Sequence, residues 1–209
     1  KSNKTETEAT EWLQGLRIND KGLINKEVIL CPPFTHLPIL KSYLLHLKSN
    51  IKLGAQDISP FGEGAYTGEV NGKQIKELAA YVIIGHSERR RYFNVGEETL
   101  QKQVEMANQY GITPIYCAAN VNDFVPKGSM IITYEPPSSI SPGPADTPEN
   151  AEREASQLCQ KYNVEHVLYG GNVTSQNVHS FVSMPHINGV LVGRASLDAQ
   201  EFSQLIKNA

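Results

Sequence analysis

Two side chains able to move a proton stand just past the ends of short apolar runs. The run Tyr81-Val-Ile-Ile84 stops at Gly85, and His86 then opens the polar stretch Ser87-Glu88-Arg89-Arg90. A histidine at a helix start faces backbone N–H groups, which disfavour its cationic form and lower its pKa. A neutral imidazole there can donate a hydrogen bond to a substrate oxygen. The position suits equally a histidine that caps the helix and bonds Glu88, and the hexapeptide alone leaves both readings open. The run Met130–Tyr134 ends in Glu135-Pro136-Pro137. A carboxylate at such a strand end is a candidate general base, although in isolation it also reads as an exposed loop glutamate.

Two further strand ends carry glycine. Val167–Tyr169 runs into Gly170-Gly171-Asn172, and Val190–Val192 runs into Gly193-Arg194. Glycines there let backbone N–H groups approach an anion at a helix start. Such turns on the last two strands of an α/β chain form a phosphate cup in many barrels, while either alone is an ordinary tight turn. Pro136 to Asp146 is an eleven-residue loop with one apolar residue, Ile140, near its centre. A loop of that length in a compact fold reads as a lid, a binding loop or a disordered stretch.

The elements that must position these residues alternate along the chain. Predicted strands cover 27–31, 51–56, 81–84, 112–117, 130–134, 167–169 and 190–192. Predicted helices cover 8–16, 37–47, 71–79, 97–110, 147–162, 175–184 and 197–207. Thr147-Pro148-Glu149 is a helix start: N-cap threonine, proline at the first helical position and an acid in the first turn. Strands separated by helices imply a parallel sheet, since parallel neighbours need crossovers. Periodicity does not separate a doubly wound sheet from a barrel. Only eleven residues, Ala118 to Gly128, separate Cys117 from Ser129, so that crossover is abbreviated. No linker or repeat divides the chain, and residues 1–209 read as one domain.

Composition narrows the function classes. With 19 basic and 22 acidic residues the net charge is −3, weak support for nucleic-acid binding. The longest apolar run is Ala79 to Ile84, far below the ~20 residues that span a bilayer. Cys31, Cys117 and Cys159 are odd in number and widely spaced, which points to a reducing, cytoplasmic setting without a disulfide framework. His36, His46, His166, His179 and His186 show no metal-ligand spacing, so no metal site is expected. Glu97-Glu98 and Glu152-Arg153-Glu154 read as solvated helix faces.

Seven segments together resemble the triosephosphate isomerase family, in its order and over nearly the whole chain. They are Gly54-Ala-Gln-Asp57, Gly64-Ala-Tyr-Thr-Gly-Glu69, Ile84-Gly-His-Ser-Glu-Arg-Arg90, Tyr134-Glu-Pro136, Thr147-Pro-Glu149, Tyr169-Gly-Gly171 and Gly189-Val-Leu-Val-Gly193. The family is a standard illustration of pKa tuning and lid closure. The resemblance implies a (β/α)8 TIM barrel and interconversion of dihydroxyacetone phosphate and D-glyceraldehyde 3-phosphate through an enediolate. It implies no metal or organic cofactor. Glu135 matches the base and His86 the electrophile. Lys1 matches the cation that binds substrate, and Glu88 the carboxylate beside it. Ser141 and Gly143 fall on the lid near the phosphate, and Asn172, Gly193 and Arg194 at the cup. A homodimer or larger homo-oligomer is implied, with Thr67 and Glu69 at its interface.

The chain departs from that pattern in four places. The family's first strand, and the asparagine two residues before the lysine, have no counterpart; the expectation is a shortened barrel whose strand 1 is missing or truncated before Lys1. The crossover after Cys117 is short. The lid reads Pro136-Pro-Ser-Ser-Ile-Ser-Pro-Gly143, without the family's tryptophan and one of its glycines. Asn172 replaces a serine, and Arg194 a second glycine, each keeping a backbone N–H. Two alternatives to the isomerase stand: a catalytically impaired barrel acting as a phosphate-ligand binder or scaffold, and a different phospho-sugar isomerase.

Overall fold

Seven apolar runs form strands, all parallel and hydrogen-bonded in chain order: β1 (Ile29–Leu30), β2 (Lys52–Ala55), β3 (Tyr81–Ile84), β4 (Thr113–Ala118), β5 (Ile131–Tyr134), β6 (His166–Tyr169) and β7 (Gly189–Val190). The computed structural model describes residues 1–16, 26–47, 49–139 and 143–209. Eight helices accompany the strands among these residues: α1 (Glu6–Gly15), α2 (Leu37–His46), α3 (Gly72–Lys76), α4 (Ser87–Phe93), α5 (Glu97–Gln109), α6 (Pro148–Tyr162), α7 (Val178–Val182) and α8 (Ala199–Asn208). Val82, Ile83 and Ile84 are all buried, as are Ile115, Tyr116 and Cys117. Burial on both faces is what a parallel sheet covered by helices requires.

Local chemistry moves the predicted boundaries. Helix α1 starts two residues early because Thr5 and Glu8 form a capping box. Helix α6 starts where Thr147 and Pro148 direct it and ends at Asn163 in the left-handed conformation. Helix α7 is shorter than predicted: Asn177 Oδ1 accepts from Thr174 N (2.8 Å) and Glu201 accepts from Ser175 N (2.7 Å). Those side chains take the donors that a longer helix would use. Strands β1 and β7 are trimmed to two residues each, since each pairs on one side only. Glu152 and Glu154 depart from the solvated face expected of them. Glu154 accepts from Val121 N (3.1 Å), and Glu152 accepts from His186 N (3.0 Å) and lies 2.5 Å from His186 Nδ1.

The sheet curls as in a TIM barrel but does not close among the described residues: β1 and β7 are its edges and do not pair with each other. On the helical side the opening is bridged. Helix α1 packs on both α2 and α8, with the Trp12 and Phe202 rings 5.8 Å apart. Gly15 lies so near α8 that a Cβ there would sit 3.2 Å from Ala199 Cβ. Lys26 Nζ donates to the carbonyls of Ile206 (2.8 Å) and Lys207 (3.2 Å) at the end of α8. A cavity of about 2050 Å³ runs along this opening, from interior Ile83 and Leu168 to the rim bearing His86 and Glu135. Thus the barrel resembled in the sequence is present with seven strands among the described residues. The crossover between β4 and β5 is abbreviated as expected, with no helix among residues 119–130.

Candidate active site

His86 and Glu135 meet at the carboxyl-terminal rim. His86 is the N-cap of α4, and its Nδ1 accepts from Glu88 N at 3.2 Å. A neutral imidazole that accepts at Nδ1 carries its proton on Nε2. Nε2 lies 3.3 Å from Glu135 Oε1. The histidine caps the helix, and the cap bond leaves its Nε2 proton free to donate. Burial lowers the His86 pKa to about 4, assisted by the Lys1 cation and opposed by Glu88.

Glu135 follows β5, and its backbone N–H donates to Ala118 O at 2.8 Å. Its residue is only 5% exposed, so it is not the exposed loop glutamate of the alternative reading. Burial raises its pKa to about 7, against the pull of Ser87 N, 3.4 Å from Oε2, and of Lys1. Lys1 Nζ lies 2.5 Å from Glu88 Oε1. Burial pushes the Glu88 carboxyl up, but the Lys1 ammonium outweighs it and the net shift is downward. Gln56, at the end of β2, donates to Cys31 O (2.7 Å) and lies 3.5 Å from Lys1 O.

The glycine turn after β6 is built around the base. A Cβ on Gly170 would stand 2.7 Å from Thr133 Cγ2 and 3.0 Å from Glu135 Cγ. On Gly171 it would meet Tyr169 Oη at 2.5 Å and Ser139 Cβ at 2.8 Å. Asn172 holds a left-handed backbone (φ 46°), and its Nδ2 donates to Gly143 O at 3.2 Å, joining turn to lid. The far end of the loop after β5 is fixed at Asp146. Its N–H donates to Tyr169 Oη (2.7 Å), and its carboxylate accepts from Tyr134 Oη (3.0 Å) and Asn150 Nδ2 (2.6 Å).

A buried carboxylate facing a neutral imidazole, with a cation and an N–H-rich turn beside them, suits proton transfer next to a carbonyl. The sequence comparisons agree. The sequence profile of the family described as triosephosphate isomerase matches residues 1–128 and 119–209. Triosephosphate isomerase of Trichodesmium erythraeum (strain IMS101) is 37% identical over 230 aligned residues, covering 99% of this chain and 95% of the relative. That of Dictyoglomus thermophilum is 34% identical over 241, covering 100% and 96%. That of Synechococcus sp. (strain JA-2-3B'a(2-13)) is 34% identical over 234, covering 99% and 93%. The chain belongs to the triosephosphate isomerase family. It is an isomerase of triose phosphates, and nothing observed favours the impaired-scaffold alternative.

The residues expected in a triosephosphate isomerase site fall as follows. Glu135, His86, Glu88 and Lys1 form one contiguous chain of contacts. Gly143 and Asn172 touch each other. Gly193 and Arg194 are exposed, lining the same cavity beyond β7. Ser141 and Ile140 lie outside the described residues. Thr67 and Glu69 stand on an exposed loop closed at its base by Ser59 N to Val70 O (2.9 Å). Several contacts went unforeseen. Cys117 is buried beside Glu135, and burial raises the thiol's pKa well above its usual value. Asp146 and Tyr169 hold the lid, and the quoted Tyr169-Gly-Gly171 motif was the signal that could have named the tyrosine.

Proposed function

We propose that Glu135 is the base and His86 the electrophile of the isomerisation. The observation that carries this is the 3.3 Å approach of His86 Nε2 to Glu135 Oε1, with Nδ1 occupied by Glu88 N. The Glu135 carboxylate takes the proton from the carbon next to the carbonyl. The C–H electron pair becomes the new C=C bond, and charge moves to the carbonyl oxygen. The His86 Nε2–H stabilises that oxygen within a water-poor pocket. His86 gives its Nε2 proton to that oxygen and takes the hydroxyl proton from the other, and returning the carbon-bound proton to the neighbouring carbon completes the interconversion of dihydroxyacetone phosphate and D-glyceraldehyde 3-phosphate.

Lys1, oriented by Glu88, supplies the cation that offsets enediolate charge. Backbone N–H groups at Asn172 and Gly193, the lid at Ser141 and Gly143, and the Arg194 guanidinium receive the phosphate. Remote binding of that dianion supplies free energy for the lid to close over the reacting carbons. Residues 1–209 act as one domain. The protein is cytoplasmic, consistent with three free cysteines. No helix among the described residues is long and apolar enough to cross a membrane. It works as a homodimer through the loop bearing Thr67 and Glu69. Exposed Phe61 and Tyr66, stacked at 4.3 Å on that loop, and exposed Tyr92 and Phe93 on α4 supply apolar surface.

The test is turnover of D-glyceraldehyde 3-phosphate by wild type and by Glu135→Gln. Loss of about 10² to 10⁴ in kcat supports the assigned base; a variant within tenfold of wild type refutes it.

A further inference from the structure

Arg90 lies two residues beyond Glu88, outside the groups that the isomerase site uses, yet it makes four polar contacts near them. Its Nε donates to Gly85 O at 2.7 Å. One terminal nitrogen donates to Cys117 O and to Tyr116 Oη, both at 2.7 Å. The other lies 3.4 Å from Asp123 Oδ1. Gly85 is the last residue before His86 and holds a left-handed φ of 73°. A Cβ there would stand 3.1 Å from the Arg90 guanidinium and 3.1 Å from the Tyr116 ring, so this peptide is packed directly on the clamp. Cys117 precedes Ala118, whose carbonyl accepts from Glu135 N at 2.8 Å.

The same guanidinium reaches the segment where a crossover helix is lacking. Asp123 accepts from Ala119 N and Phe124 N, both at 2.9 Å, and Tyr116 Oη donates to Phe124 O at 2.6 Å. With no helix within the crossover 119–130, side chains must satisfy and hold its backbone. Arg90 is three-quarters buried and is the group shared by both strand ends and the loop.

We propose that Arg90 is a positioning residue for the isomerisation: its guanidinium clamps the carboxyl ends of β3 and β4 and fixes the Gly85–His86 peptide against Glu135. This rests on the roles proposed above for His86 and Glu135. The geometry tolerates little slack, since misplacing a reacting group by ~1 Å can lower a rate by ~10²-fold.

Arg90→Met removes every donor while keeping an unbranched side chain. The expected result is a kcat lower by about 10- to 100-fold with KM within about threefold. His86, which faces Lys1, Glu88 and Glu135, becomes more hydrated, so its imidazole pKa by ¹⁵N NMR rises by at least about one unit toward the ordinary value. Asp123→Asn, which weakens the loop anchor but spares the bond to Gly85, lowers the melting temperature and leaves kcat within about threefold. If Arg90→Met does not fold, Arg90→Lys is measured in the same two ways, with smaller effects of the same sign expected. Wild-type-like kcat and an unmoved His86 resonance in the folded Arg90 variant would overturn the proposal, whatever its thermal stability. Should wild type fail to turn over triose phosphate, the assigned roles fall, and the His86 titration alone decides whether the clamp exists.

Discussion

Replacing Glu135 by glutamine should lower kcat by about 10² to 10⁴ and stabilise the protein, and the second effect has a size and a pH dependence set by the structure. Glu135 is 5% exposed, and burial moves its pKa from the model-peptide value of 4.5 to about 7. Each tenfold change in proton affinity is worth about 1.4 kcal/mol, so ionising this carboxyl in the folded state costs about 3 kcal/mol. The sign follows from proton counting. Between pH 4.5 and about 7 the unfolded chain releases this proton while the folded chain keeps it. The folded state binds more protons in that window, so stability falls as pH rises and levels off above 7. Protonated glutamate and glutamine are uncharged and of the same shape, each with a carbonyl acceptor beside a donor group, O–H in one and NH₂ in the other. The variant should therefore match wild type below about pH 5 and exceed it by about 3 kcal/mol at pH 8. Urea unfolding of both proteins from pH 4.5 to 9, at one protomer concentration, measures the difference. A difference that does not vary with pH, or a variant weaker than wild type at pH 8, would refute this account of the base.

Three other outcomes test the same geometry. The kcat/KM profile should lose activity on the acid side with an apparent pKa near 7, that of Glu135, while the His86 imidazole shows no titration by NMR between about pH 5.5 and 9. A His86 titrating near its ordinary 6.5 would contradict its assignment as a neutral donor. Gly170→Ala should lower kcat by at least about tenfold and stability by about 1–3 kcal/mol, because its Cβ would press on Glu135 Cγ at 3.0 Å; kinetics and thermal melts together decide it. Sedimentation should show wild type as a dimer and Thr67→Arg shifted toward monomer, and a wild type monomeric at micromolar concentration would remove the interface.

The strands and most helices were legible because short apolar runs, capping residues and proline placement are local properties. The Thr147-Pro148 start of α6 is the clearest case, and α6 begins there. The ends of the sheet were less legible. Whether Val190–Val192 pairs through its full length depends on a neighbour on both sides, and β7 has one. The site was legible as residue types at strand ends, but their grouping needed the resemblance. No local pattern brings Lys1 within reach of Glu88 or Cys117 within reach of Glu135. Glu154 illustrates the opposite error: an acidic helix position looks solvated until the shortened crossover supplies Val121 N as its partner.

The charges at the rim explain how one pocket can hold an anionic base beside a neutral imidazole. Lys1 pulls the pKa of both His86 and Glu135 down, whereas Glu88 pushes both up. Paired at 2.5 Å, the two present a nearly balanced dipole, so neither residue's titration is governed by a lone ion. Burial then dominates, and it favours the uncharged form of each: the carboxyl rises and the imidazole falls. The two values end about three units apart in the reverse of their usual order. Above pH 7 the pair therefore holds a carboxylate and a neutral imidazole whose remaining proton is on Nε2. An unpaired Lys1 would draw the base down with the histidine, leaving a weaker acceptor for a carbon-bound proton. The Lys1–Glu88 contact therefore preserves the basicity of Glu135.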